Sequence, residues 1–478
     1  MRRNLTMLIA GTSLAILIGG CATQTPAAMP GTPLTAQESA WLAKAYRCDK
    51  SGWIFLHIEG APFERGFQRG YLTADEIAAF RRTLAHTEHF ETARDLDYFV
   101  KQAVRLFRGK VSPEYVQEMQ GIAAGMRKKG QAVTYEEVLF LNGFIDIAGY
   151  WWPKKRESMG PGCSAFIATG AATADGKIVM AHNTWDSYAN ASFCNLIVDL
   201  LPDRGHRILM QSWGPSLYST TDFFITSAGL VGTETTIGDF TGFDEKGTPV
   251  FERARKAMQY ADNIDTWART MVEHNSGAYA NSWLLGDIKT NEIARLELGL
   301  KHHTLEKKTT GYICGSNVAD SLEILREETD NGTYDDVRDP AVARRERWKQ
   351  LMKEHAGKID VEVAKRLLAD HYDMYLQKEG PSIRTLCGHG DLDDGRIPGG
   401  LRRAYYPVGA VDGKAVDAEM AKNWRIWAKW GCSCDRSFVA QEFLQRHTQY
   451  DWLQGYLRDL PAQPWTIFPP AEAAAADK

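Results

Sequence analysis

Between Ala36 and Trp152 the apolar positions recur at helical spacing, broken by polar stops such as "RKKGQA". "TADEIAAFRRTLAHTEHF" opens at Thr73, a residue type that caps helices. "SPEYVQEMQGIAAGM" sets Ser112 at the cap and Pro113 at the first helical position. "TYEEVLFLNGF" holds Thr134 and Glu137 at capping-box spacing. After residue 163 the texture changes to short apolar runs. "CSAFIATG" and "GKIVMAHNTW" flank an Asp175-Gly176 turn and predict a hairpin. "FCNLIVDLL", "HRILMQSW", "FFITSAGLVGTETT", "SWLLGDI", "EIARLEL" and "GYICGSN" predict further strands. Helical runs interrupt them at 249–275, 340–356 and 360–377. Helices and strands in separate runs predict an α+β layered fold.

The two ends break the pattern. Arg2 and Arg3 precede a short apolar run, Leu8 to Ile18, and "IGGC" closes it at Cys21. The run is too short for a spanning helix, and residues 1–21 read as a lipoprotein signal peptide with Cys21 lipidated. Ala22 after the cysteine favours the outer membrane, with the protein exported and facing the periplasm. Residues 22–35 are small, polar and Pro-rich, and read as a flexible tether. The domain reading continues with a mainly helical segment over 36–162, a catalytic region over 163–470, and a low-complexity tail at 471–478 that predicts disorder.

The chain has 478 residues, 44% of them hydrophobic, enough for a large core. Loss of Arg2 and Arg3 with the leader takes the net charge from −4 to −6. No basic stripe is present, so nucleic acid is not an expected partner. Cysteine changes the picture more. The eight are Cys21, Cys48, Cys163, Cys194, Cys314, Cys387, Cys432 and Cys434. With Cys21 lipidated, seven remain in an oxidising compartment, where disulfides are expected. An odd number leaves one reactive thiol. Cys432 and Cys434 are too close in sequence to pair without strain.

"ESMGPGCSAFIATG" brings a Gly-Pro-Gly turn straight into Cys163 at the start of a strand. A cysteine nucleophile needs a base within reach. If the backbone is cut before Cys163, its own α-amine, with an ordinary pKa of about 7.7–8.0, becomes that base. Gly162 permits the backbone geometry that such a cut requires.

In order along the chain, "PFERGFQRGYLTADE", "GCSAFI", "MAHNTWDSY", "DFFITSAGLVGTETT" and "NSGAYANSWLLGDIK" resemble the phospholipase B-like family of N-terminal nucleophile hydrolases. More remotely they resemble the penicillin-acyltransferase and bile-acid-amide hydrolase groups. The resemblance implies a four-layer αββα sandwich of two antiparallel sheets flanked by helices. It implies cleavage between Gly162 and Cys163, with the two chains staying associated and Cys163 the nucleophile. His182, Asn183, Trp185 and Asp186 would line the pocket. Either His182 or Asn183 would hold the thiol and amine in register, and Asp186 would orient the amine. Glu234, Thr235 and Thr236 would end a strand abutting the cysteine and supply a backbone donor. Asn281 would give an oxyanion donor through its amide, and Arg295 charge support. The implied reaction is hydrolysis of an acyl ester or amide, lipid or otherwise, through a cysteine thioester. Two alternatives stay open: acyl transfer to an amine acceptor, and a non-catalytic binding or scaffold lipoprotein.

No cofactor is expected. Walker A and G-x-G-x-x-G motifs are absent. His302 and His303, adjacent on a strand, point to opposite faces. "CGHGDLDDG", from Cys387 to Gly395, has neither zinc nor EF-hand spacing, so no metal is expected either.

Overall fold

The computed structural model describes residues 31–152, 162–219, 223–330, 334–398 and 403–472. The leader, Cys21, most of the tether and the tail beyond residue 472 lie outside the described residues. Strands run in chain order as β1 (Tyr46–Lys50), β2 (Trp53–Gly60), β3 (Ser164–Thr169), β4 (Val179–Asn183), β5 (Trp185–Ser187), β6 (Leu196–Pro202), β7 (Ile208–Ser212), β8 (Phe223–Thr226), β9 (Leu230–Thr236), β10 (Asn281–Asp287), β11 (Glu292–Leu298), β12 (His303–Lys308), β13 (Gly311–Gly315), β14 (Tyr372–Asp373), β15 (Lys378–Glu379), β16 (Val408–Ala410), β17 (Asp412–Asp417), β18 (Ile426–Trp430) and β19 (Thr466–Phe468).

Fifteen of them form a nine-stranded sheet, β1-β2-β6-β7-β8-β9-β10-β11-β12, and a six-stranded sheet, β13-β3-β4-β17-β18-β19, while β14 pairs with β15 and β16 with β5. Every pairing in them is antiparallel except β2 with β6, so the large sheet carries one parallel step. Alternation along the strands explains the stacking. Ala165, Ile167 and Met180 of the small sheet pack with Val231, Leu284 and Ile293 of the large one, in one core between the sheets. Phe166, Ala168 and Ala181 point the other way, onto Trp348, Leu351 and Leu367 of helices Pro340–Glu354 and Val361–Leu368. The outer face of the large sheet is covered by helices from residues 62–142 and by Val250–Tyr260 and Ile264–Val272. The layers are therefore helix, sheet, sheet, helix, as the resemblance implies.

Local signals resolve unevenly. Thr134 and Glu137 make their capping box. Ser112 and Thr73 stand at N-cap positions without side-chain cap bonds. Ser112 donates its hydroxyl to Glu252 instead, and Thr73 to the carbonyl of Arg69 at 2.8 Å. β1 and β2 interrupt the region read as helical, because β2 is claimed by β6 from 142 residues downstream. The helix expected over 360–377 stops at Leu368. Asp370 ends it by accepting from the Tyr372 amide at 3.1 Å while pairing with Arg347 at 2.6 Å.

The expected disulfides do not form. All seven described cysteines are free thiols. Cys314 lies on β13, Cys48 on the edge strand β1, and Cys194 just before β6, in separate parts of the fold. Cys387, Cys432 and Cys434 do gather: the Cys432 and Cys434 sulfurs are 3.1 Å apart, and His389 lies against both Cys387 and Cys434.

Candidate active site

Cys163 stands immediately before β3 and is almost wholly buried. The register pairs Ala165 with His182 and Ser164 with Asn183. In an antiparallel pair, partners share a face and neighbours alternate. His182 therefore lies on the Cys163 face, and Asn183 on the opposite one. The structure brings the Cys163 sulfur, a His182 ring nitrogen and a Glu234 carboxylate oxygen within 4.8 Å of one another. Asn183 looks into the helix side, donating to the carbonyls of Leu368 at 2.7 Å and Leu386 at 3.2 Å and accepting from the Ser433 hydroxyl at 2.7 Å. Of the two residues left open by the sequence, His182 is the one that reaches the thiol.

His182 is fully buried, and neither ring nitrogen makes a well-formed hydrogen bond among the described residues, although the ring lies beside the Glu234 backbone. Burial, and next the nearby Lys414 charge, hold its pKa well below the usual range, so the imidazole is neutral. Lys414 is the register partner of His182 on β17 and is paired with Asp412 at 2.7 Å, both fully buried. Asn281 on β10 is fully buried, and neither end of its amide has a partner among the described residues. Thr235 is likewise buried with an unpartnered hydroxyl, pressed toward Gly315 of the small sheet. Buried side chains elsewhere in the fold, among them Thr226, Trp267 and Trp348, share this state, so it is the closeness of His182 to the thiol that sets this place apart.

Glu234 accepts from the Tyr279 hydroxyl at 3.1 Å and from the Thr236 hydroxyl at 3.4 Å. The Thr236 carbonyl accepts from the Asn317 side chain at 2.6 Å, and Asn317 in turn accepts from Arg344 at 2.9 Å. Arg344 donates to the Cys163 carbonyl at 2.6 Å and to the Ser164 hydroxyl at 3.1 Å. Arg344 thus ties the start of β3 to the end of β9. Its guanidinium lies 4.4 Å from the centre of the Trp185 ring, and burial brings its pKa down to about 9. The Trp185 indole N–H donates to the Leu386 carbonyl at 3.3 Å. The Trp185 carbonyl would lie 3.0 Å from any Cβ at Gly162, so the bond before Cys163 is flanked closely.

Asp186, partly exposed but densely surrounded, accepts from the Ser187 amide at 2.6 Å, and burial pushes its pKa up to about 6. Arg295 is engaged elsewhere, by Glu306 at 2.8 Å and by Asp320, on the β11–β12 side of the large sheet. Sequence reasoning missed Arg344, Asn317, Asp412 and Lys414. A signal existed for two of them. Arg344 falls on the buried stripe of its helix with Ala341, Trp348 and Leu351. Lys414 alternates in phase with the inward-facing Val416. The trio of Cys163, His182 and Glu234 is also of a size to grip a metal ion. Gly162, directly before the thiol, permits the backbone geometry that a cut at that bond requires, a feature that a nucleophile needs and a metal ligand does not.

The model of the phospholipase B family matches residues 48–322. That span holds Cys163, His182, Glu234, Thr235 and Asn281 and stops before Arg344 and Lys414. An uncharacterized protein of Archaeoglobus fulgidus is 28% identical over 255 residues, which is 51% of this chain and 42% of its own length. The phospholipase B of Crotalus adamanteus is 24% identical over 464 residues, 79% of each chain. The penicillin V acylase of Agrobacterium tumefaciens superposes over 56% of this chain and 83% of its own, with 11% identity and a TM-score of 0.31, too loose a likeness to transfer a residue.

Proposed function

Because the chain belongs to the phospholipase B family, whose model spans more than half of it, we propose that it is an acyl hydrolase with Cys163 as nucleophile. The observation that carries this reading is the buried group at the start of β3, where the Cys163 sulfur, a His182 ring nitrogen and a Glu234 carboxylate oxygen lie within 4.8 Å of one another.

The proposed maturation proceeds by attack of the Cys163 sulfur on the Gly162 carbonyl. The C–N bond breaks, a thioester forms, and the Cys163 amine takes the proton. Water then releases Gly162 as a carboxylate. The mature site repeats the chemistry on substrate. The α-amine accepts the thiol proton, and the thiolate attacks an acyl carbonyl. Asn281 offers its amide N–H to the oxyanion, worth about 10²–10³ in rate. The leaving alcohol or amine takes the proton, and water hydrolyses the thioester. His182, neutral and aimed at the sulfur, fixes the thiol, while Arg344 fixes the carbonyl of the same residue. Acyl esters or amides of lipids are the proposed substrates.

The lipobox before Cys21 supports an exported, lipid-anchored protein facing the periplasm from the outer membrane. An anchor of this kind would hold the site near acyl lipids. Among the described residues no helix is long and apolar enough to cross a membrane.

The test is the intact mass and the N-terminal residues of purified protein beside a Cys163→Ala variant. Two associated chains, the second beginning at Cys163, with the variant uncut, are expected. Release of fatty acid from a phospholipid or N-acyl amine panel should follow in the wild type alone. An uncut wild type that releases no acyl group would defeat the reading.

A further inference from the structure

Behind β4, on the face opposite His182, three separate segments converge. His371 follows helix Val361–Leu368, Cys387 and His389 lie on the loop after β15, and Cys434 follows β18. One ligand atom from each of these four residues lies within 4.8 Å of all the others. We propose that His371, Cys387, His389 and Cys434 bind a single structural zinc ion.

The donor set and its dimensions carry this. Zinc–sulfur bonds of about 2.3 Å and zinc–nitrogen bonds of about 2.0–2.1 Å give a tetrahedron whose sulfur–nitrogen edge is about 3.6 Å. The Cys387 sulfur is 3.6 Å from His389 Nε2, and the Cys434 sulfur is 3.4 Å from the same nitrogen. His371 Nε2 is buried and makes no well-formed hydrogen bond among the described residues, although the ring lies beside the Cys434 thiol. His389 Nδ1 lies 3.7 Å from an Asp391 carboxylate oxygen, which accepts from the Tyr188 hydroxyl at 2.9 Å. A carboxylate behind a ligating histidine sets its tautomer and aims its other nitrogen at the metal. On binding, the two thiols lose their protons to solvent, and two thiolates with two neutral imidazoles balance the charge of Zn²⁺. Four protein ligands leave no open position, so the site is structural.

Cys432 stays outside the set. Its thiol turns to the Arg436 carbonyl at 3.1 Å, although its sulfur is also 3.1 Å from that of Cys434. A Cys432–Cys434 disulfide is the competing outcome. It would leave two imidazoles and the Cys387 thiol gathered to no purpose.

The fold assembles these segments with one side chain. Asn183 bonds Leu368, Leu386 and Ser433, which stand three residues, one residue and one residue from His371, Cys387 and Cys434. The ion would brace the loop against which Trp185 lies, and so the indole that is stacked on Arg344. Linear spacing hides the site, since its ligands span residues 371 to 434 and "CGHG" alone has no zinc pattern.

The experiment is metal analysis by mass spectrometry on purified full-length protein, with thiols counted under denaturing conditions. About one zinc per chain is expected in the wild type and in Cys163→Ala. His371→Ala and Cys434→Ser should lose it, and Asp391→Asn should bind zinc about 10- to 100-fold more weakly. If those variants fail to fold, the cobalt-exchanged wild type decides, since tetrahedral cobalt with two thiolates has intense charge-transfer absorption. A metal-free wild type with Cys432 and Cys434 oxidised overturns the proposal. So does zinc that is lost in Cys163→Ala but kept in Cys434→Ser, which would place the ion at the catalytic thiol.

Discussion

The indole of Trp185 lies so close over Gly388 that a Cβ built on that glycine would come within 1.8 Å of Trp185 Cη2. The same indole is stacked on Arg344, and Arg344 holds the Cys163 carbonyl. A contact two steps from the thiol therefore sets the position of its backbone. Gly388→Ala is expected to lower stability by about 1–3 kcal/mol through overpacking, and to reduce turnover as Trp185 shifts. Gly149→Ala, where only one atom at 4.0 Å faces the new methyl, is the control and should stay within about 0.5 kcal/mol. Urea unfolding of both variants checks this, and equal losses would sink it.

Adjacent residues His182 and Asn183 should respond in opposite ways. His182→Leu removes two buried ring nitrogens that lack well-formed bonds. Stability should hold or rise, while chain cleavage and acyl hydrolysis are lost. Asn183→Ala leaves the carbonyls of Leu368 and Leu386 and the Ser433 hydroxyl without their partner, and should cost about 2–4 kcal/mol. Melting curves set beside cleavage gels separate the two. A strongly destabilised His182→Leu would mean that the imidazole is a core element and not a working one.

That contrast also measures what the sequence could tell. The period of two in "MAHNTW" says that His182 and Asn183 face opposite ways, but not which way. The answer needs the Ala165 pairing, and hence the register of β3 on β4. The layered α+β fold was legible because the strand runs after Cys163 are apolar and bounded by turns. β1 and β2 were not, since β2 forms by joining a strand encoded 142 residues later. Arg344 was hidden because a charge on a helix stripe reads as surface until the helix is docked. His371 and Cys434 were hidden for the same reason at longer range: nothing local links positions 371 and 434 until Asn183 draws their segments together.

Asn281 should behave as a working group with no structural duty. Its amide is fully buried and has no partner among the described residues at either end. Asn281→Leu keeps the volume and removes the donor. The expected result is a fall in kcat/KM of about 10²–10³ with unfolding unchanged or shifted to higher urea. A variant that retains full activity would remove Asn281 from the oxyanion site, and a large stability loss would reveal a bond that Asn281 makes in the mature enzyme.

Asp146 gives the chain a pH dependence separable from catalysis. Its carboxylate is fully buried at the start of helix Val250–Tyr260, accepting from the Val250 amide at 3.1 Å and the Ser276 hydroxyl at 3.3 Å. Burial outweighs these bonds and the Arg253 charge, and pushes its pKa from 3.8 up to about 7. The folded state thus holds this proton more tightly than the unfolded state. Its contribution to stability is complete below the unfolded value and drains away as pH climbs through the folded one, a loss on the order of 4 kcal/mol. Asp146→Asn still accepts from the Val250 amide but has no proton to lose. The variant should therefore gain on the wild type steadily between about pH 4 and about pH 7, and by a constant margin above that. Urea midpoints of both proteins across that range test the claim. A gap that does not change with pH would mean that Asp146 is ionised throughout, held by Arg253 more strongly than burial opposes it.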